Sequence, residues 1–269
     1  MATITTGSVT DPVIDPIGTD LSTILKTLKL SGLKETLPER LSLARQHKMG
    51  HAAFLELLLA DEVTRRNTRS AALRAAKAGL DPAMRLETWE ETGDLSYDRT
   101  LWSDLTSLRF TENGTGVLVL GPVGVGKTHL ATALGHIAIR RRQTVTYARA
   151  DKLFTRLRAA RLDNTFDAEM RRLAGVQMLI IDDFALRPLD ATQTNDLYEL
   201  VVERHRKHPT IWVSNRDPAE WLTMTTDALL AQSAVDRLTS HAHTLIVEGP
   251  SYRQRAERAL LDDPRRQKP

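Results

Sequence analysis

Along the first third of the chain apolar residues recur with helical spacing, and after it they fall into short blocks separated by longer amphipathic stretches. Leu21, Ile24, Leu25 and Leu28 stand at i, i+3, i+4 and i+7, one face of a helix. Leu33, Leu37 and Leu41 continue at a spacing of four and predict a second helix begun at Pro38. Phe54 to Val63 is densely apolar and passes into an Arg/Ala-rich stretch through Lys77, which predicts a third. Gly79-Leu80-Asp81-Pro82 combines a helix stop with a turn, and the best domain boundary lies there.

From Thr115 onward the pattern changes. Val117 to Leu120, Thr144 to Tyr147, Met178 to Ile181, Thr210 to Val213 and Thr244 to Val247 are apolar runs bounded by turn residues and separated by helical stretches. Runs of this kind indicate βαβ units and a largely parallel sheet buried on both faces. The expected organisation is a disordered lead over 1–19, a helical domain over 20–79 and a linker over 80–115. An α/β domain over 116–261 and a frayed basic tail over 262–269 follow. Trp89, Tyr97, Trp102 and Phe110 are expected to dock the linker onto the domain after it.

Composition adds bounds. The 269 residues are 41% hydrophobic and 26% charged, enough for one large domain and a small one with an aliphatic core. No apolar run approaches the roughly 20 residues that span a bilayer, and the first twenty residues lack a basic-then-apolar leader, so no membrane partner is expected. There is no cysteine, which excludes disulfides and thiolate metal sites and makes the cytoplasm the default location. The net charge is only +3, but residues 20–85 hold twelve Lys/Arg against seven Asp/Glu. Further basic clusters lie at Arg140-Arg141-Arg142, along Arg156, Arg158 and Arg161, and at Arg171-Arg172.

Three stretches carry chemistry. Gly121-Pro122-Val123-Gly124-Val125-Gly126-Lys127-Thr128 fits the phosphate-loop pattern G-x-x-x-x-G-K-[ST] between an expected strand and helix. Its glycines let successive N–H groups turn inward around phosphate oxygens, the helix N-terminus adds its dipole, Lys127 reaches the β/γ-phosphates and the Thr128 hydroxyl is a Mg²⁺ ligand. This points to ATP with Mg²⁺. Asp182-Asp183 follow a buried strand directly, where two acids are costly unless they meet a cation or leave the sheet at its edge. Asp182 would hold Mg²⁺ through its water shell, and Asp183 would orient or deprotonate the attacking water. Asn215 ends another apolar strand. It reads equally as a turn residue or, if its strand lies between those of the loop and of Asp182, as the amide that positions that water.

Together these elements resemble the AAA+ ATPases, and within them the IstB-like/DnaC-like group. The resemblance runs from about residue 20 to 261. It rests on Gly-Pro-Val-Gly-Val-Gly-Lys-Thr-His-Leu-Ala, Leu-Ile-Ile-Asp-Asp-Phe, Val-Ser-Asn-Arg, Val-Asp-Arg-Leu, His241-Ala242-His243 and Ser251-Tyr252-Arg253, together with the leucine-rich start near Leu25 to Leu33. It implies a P-loop AAA+ parallel sheet flanked by helices, a small N-terminal all-α domain and little or no C-terminal lid. It places His129 with the nucleotide loop, makes Asn215 the sensor 1 residue and puts Asp183 where a catalytic Glu is usual. That departure shortens the side chain and puts fast turnover in doubt. Arg237, otherwise an ordinary helix-surface arginine, becomes the finger that completes a neighbouring subunit's site, and Arg253 a substitute for sensor 2.

The resemblance further implies assembly on DNA through the segment Asp151 to Gly175, where Arg156, Arg158 and Arg161 either track backbone phosphates or form a solvated basic face. The expected function is an ATPase that oligomerises on duplex DNA and assists an insertion-sequence transposase. A loader of replicative helicases, a DNA scaffold that uses ATP only as an assembly switch, and a small-molecule kinase are the alternatives.

Overall fold

The computed structural model describes residues 17–90 and 94–252, and divides into two compact units at Ser70/Ala71. Of the expected lead over 1–19, residues 1–16 lie outside the described residues, as do the tail over 262–269 and Arg253, while Ile17 is buried and the first helix opens at Thr19.

In the first unit α1 (Thr19–Thr27) and α2 (Leu33–Gln46) are followed by α3 (His51–Ala78), whose last residues belong to the second unit. Of the α1 stripe only Leu25 is buried, with Ile17, Leu33, Leu37 and Leu58. Leu21, Ile24 and Leu28 are exposed, because a unit this small has too little interior to cover a whole helix face. α2 starts at Leu33 rather than Pro38 and carries that proline inside it. Burial of Leu33 and Leu37 holds the earlier turn in place although Pro38 cannot donate a helix hydrogen bond. Glu62 is buried and bonded to Arg65 at 2.8 Å and Arg66 at 2.6 Å, which hold its carboxyl down at about 2. Arg66 also donates to the Lys29 carbonyl at 2.7 Å, joining α3 to the α1–α2 turn.

In the second unit five strands form one sheet in the order β2-β3-β4-β1-β5, every pairing parallel. They are β1 (Val117–Leu120), β2 (Val145–Arg149), β3 (Met178–Asp182), β4 (Thr210–Ser214) and β5 (His243–Ile246). The helices are α4 (Arg99–Thr106), α5 (Lys127–Arg140), α6 (Ala150–Leu162), α7 (Phe166–Gly175), α8 (Ala191–Arg204), α9 (Pro218–Trp221) and α10 (Ala228–Thr239). Alternate strand residues face opposite layers. Val117, Val119, Ile180, Ile211 and Val213 pack on α5 together with Trp102, Phe110 and Leu80. Leu118, Leu179, Ile181 and Trp212 pack on α6, α7 and α8. Both faces are therefore covered, which is why the strands read as unbroken apolar runs. Trp102 and Phe110 enter the first of these cores and Trp89 and Tyr97 pack against it, so the linker is part of the α/β unit.

Candidate nucleotide site

The loop Gly121–Thr128 joins β1 to α5 at the carboxyl edge of the sheet. Gly121 has φ +143° and a Cβ there would stand 2.0 Å from the Val247 carbonyl oxygen, so no other residue fits. Gly126 has φ +102°, and a Cβ would meet the Trp89 ring at 2.4 Å. Lys127 opens α5, is buried, and donates through Nζ to the Pro122 carbonyl at 2.7 Å. The chain after β5 returns over the loop, with the Tyr252 N–H donating to the Gly124 carbonyl at 2.9 Å.

The acids arrive from β3. Asp182 is its last residue and is buried, with one carboxylate oxygen accepting from the Tyr147 hydroxyl at 2.7 Å and the other from the Asp183 N–H at 2.9 Å. Burial and the charge of Asp182 push the Tyr147 phenol far up, so it stays a donor. Asp183 takes φ +53°, a left-handed turn that an Asp accepts, and this swings its side chain out of the strand line. Burial and the neighbouring Asp182 raise its pKa, against the pull of Arg149 and Lys127. Arg149, the register partner of Asp182 on β2, pairs with Asp183 at 3.2 Å.

Asn215 follows β4, and β4 lies between β3 and β1. Its loop is tied to that of the acids. The Ser214 hydroxyl donates to the Phe184 carbonyl at 2.8 Å, and the Phe184 N–H donates to the Val213 carbonyl at 2.9 Å. Lys127, Thr128, Asp182, Asp183 and Asn215 thus line one cleft of about 670 Å³, together with Trp89 and Tyr252. That volume suits a nucleotide. A lysine at a helix N-terminus, a hydroxyl and a buried carboxylate are the donor set that Mg²⁺ and a polyphosphate require together.

Other expected residues sit elsewhere or are otherwise engaged. His129 lines the cleft, with Nε2 2.8 Å from the Arg85 carbonyl oxygen and its ring 5.0 Å from that of Trp89. On α6, Arg156 pairs with Glu169 at 2.5 Å and Arg158 with Asp190 at 2.6 Å, while Arg161 pairs with Asp196 and lies 3.6 Å over the Phe166 ring. Asp196 is 2% exposed, which makes the Arg161 pair part of the packing between α6 and α8. Arg237 is not in the nucleotide cleft of its own chain. It bonds to Ser233 on α10 and lines a second cleft, with Thr210 and His243, at the amino ends of β4 and β5. Tyr147, Arg149 and Trp89 are site residues without a motif, and Tyr252 stands in the Ser251-Tyr252-Arg253 stretch with no role of its own read from it. The register of β2 on β3 brings in Tyr147 and Arg149, the linker brings in Trp89, and the return of the chain over the loop brings in Tyr252.

Comparison with known proteins agrees with this geometry. The family model of the IstB-like ATP binding protein matches residues 23–259. The chain belongs to the IstB-like ATP-binding protein family. This IstB-like protein is 36% identical over 236 residues to a relative in Mycobacterium tuberculosis described as an ATP-binding protein in an insertion sequence, spanning 87% of this chain and 94% of the relative. It is 31% identical over 239 residues to the insertion sequence IS21 ATP-binding protein of Pseudomonas aeruginosa, spanning 89% and 90%. Among solved structures the DnaC helicase loader superposes with a TM-score of 0.54 at 18% identity, covering 62% of this chain and 98% of that one. AMPPCP-bound DnaA from Aquifex aeolicus superposes with a TM-score of 0.51 at 21% identity, covering 68% of this chain and 56% of the longer DnaA. These likenesses confirm the parallel P-loop sheet flanked by helices. Among the described residues no helix is long and apolar enough to cross a membrane.

Proposed function

We propose that this IstB-like protein hydrolyses ATP as the energy-using helper of an insertion-sequence transposase, assembling on duplex DNA with nucleotide bound. The observation that carries the reading is the convergence of Lys127, Asp182, Asp183 and Asn215 on one cleft, while Arg237 stands at the opposite edge of the same sheet. A site built from two faces of the fold needs two copies of the chain.

In the reading we favour, the loop N–H groups and Lys127 hold the β- and γ-phosphates, with His129 and Trp89 walling the cleft. Thr128 and Asp182 would hold Mg²⁺, which neutralises charge on the phosphates once bound. The Asn215 amide positions a water in line with the γ-phosphorus. Asp183 takes the water's proton as the new P–O bond forms and the bond to the bridging oxygen breaks, releasing ADP and phosphate. Arg237 of a second copy stabilises the charge that develops, and the exposed arginines Arg156 and Arg158 exchange their partners, half-buried Glu169 and exposed Asp190, for DNA phosphates.

Light scattering with duplex DNA tests the assembly: ATP and Mg²⁺ should raise the mass to that of a large oligomer, and an unchanged mass would overturn it. Lys127→Ala should weaken ATP binding roughly 10- to 100-fold, the range of one lost charge-assisted contact. Arg237→Ala should keep nucleotide binding and lose hydrolysis. One observation favours a second reading. Asp183 is ion-paired with Arg149, and a base held that way suits an ATP-dependent assembly switch with slow turnover.

A further inference from the structure

The cleft at the amino ends of the strands has an unusual charge. It measures about 480 Å³ and is lined by three arginines, Arg204, Arg206 and Arg237, and by four histidines, among them His241 and His243, with no Asp or Glu in its lining. The contrast with α6 is direct: Arg156, Arg158 and Arg161 each have a carboxylate partner, whereas no ion pair involves Arg206 or Arg237 among the described residues.

The walls are fixed. Arg204 is buried and donates to the carbonyls of Leu173, Ala174, Val176 and Pro209 and to the Thr210 hydroxyl, so most of its donors are spent and it acts as a rigid clamp between α7, α8 and β4. Arg206 stands at φ +59° two residues beyond the end of α8, 2.5 Å from Nε2 of His241. His205, between Arg204 and Arg206, is held to the backbone of Arg237, and burial with the neighbouring Arg206 and Arg237 lowers its pKa. Like charges gathered without an acid repel one another, and the arrangement is relieved by an anion rather than by a protein side chain.

We propose that this cleft is a phosphate-binding site in which Arg206, His241 and His243 act beside Arg237. The shared ligand chemistry is a phosphate group with two or more free oxygens. It is carried either by the tail of a nucleotide seated in a second copy or by a nucleic-acid backbone. The first source rests on the assembly proposed above, and the second does not.

The full-length Lys127→Ala chain, in which the phosphate loop is crippled, separates the two sites. Calorimetric titration of that chain with tripolyphosphate is expected to show one remaining site. Adding Arg206→Asn and His243→Gln should weaken it at least tenfold, with the circular dichroism spectrum unchanged. Asn is chosen because it accepts the left-handed backbone at that position. Absence of a site in the Lys127→Ala chain, or an affinity within twofold after the added changes, overturns the proposal. A second arm identifies the source in the Arg206→Asn/His243→Gln chain with Lys127 intact. Loss of the ATP-dependent rise in mass, with DNA affinity kept, identifies a neighbour's nucleotide. A fall of about one in the slope of log affinity against log salt for duplex DNA identifies the backbone. No change in either quantity overturns the site.

Discussion

At the carboxyl edge of the sheet Asp182 and Asp183, with Asp81 and Glu90, line one cleft with Lys127 and Arg149, so both signs of charge meet there, whereas at the amino edge arginines and histidines gather with no acid among them. Both clefts are built on the same sheet and share β4. A site with both signs can hold a proton donor and an acceptor in fixed states, which suits the hydrolysis proposed above. A site of one sign is suited to receiving charge from outside. Under the proposed function, making and receiving the transition state fall to the two ends of one sheet.

The largest test of that contrast is Asp183→Asn, which should lower turnover by about 10²- to 10³-fold, in the range of a lost general base, with ATP affinity kept. Phosphate release measured beside nucleotide binding decides it, and unaltered turnover would leave the assembly switch as the better reading. At the other end, Arg204→Met removes the clamp rather than a ligand. It should cost about 3 kcal/mol, because several buried carbonyls lose their donors, and it should appear as a lower Tm with ATP binding per folded molecule unchanged.

The first unit offers a control without nucleotide chemistry. Glu62 sits between two arginines with its pKa lowered to about 2. A carboxylate whose folded pKa lies below its unfolded one stabilises the fold fully above the unfolded value, about 4.3. That contribution is lost as pH falls through the folded value. Glu62→Gln should therefore cost about 2 kcal/mol at neutral pH, and the deficit should shrink as pH drops from about 4.3 towards 2, followed by circular dichroism. The smallest effect expected is that of Tyr147→Phe. One hydrogen bond to Asp182 is lost, worth about 1 kcal/mol, and the Mg²⁺ concentration needed for half-maximal hydrolysis should rise about fivefold.

Much of the carboxyl edge was legible in advance. A phosphate loop is read locally, because Gly121, Gly126, Lys127 and Thr128 act through backbone angles and neighbours a few residues away. The strand-end acids were legible for a similar reason, since a buried parallel strand can release polar residues only at its tips. Arg149 and Tyr147 were not, because their role depends on which residue of β2 lies opposite Asp182. The amino-edge cleft was invisible as a unit, since Arg206, Arg237 and His243 come from separate elements. The α6 arginines show the converse: side by side they read as one basic face, and the fold gives each a carboxylate from another part of the chain. Pro38 was misleading as a helix start because apolar burial outweighed one missing hydrogen bond.

By itself the sequence determined the local chemistry of this IstB-like protein: a loop that cradles phosphates, two acids at a strand tip and strands apolar enough to be covered on both faces. Only the tertiary structure decided the strand order that sets Asn215 between the loop and the acids, and the far edge to which Arg237 is assigned. Backbone angles and hydrophobic periods are carried by neighbouring residues, whereas charge partners are chosen by the fold across tens of residues.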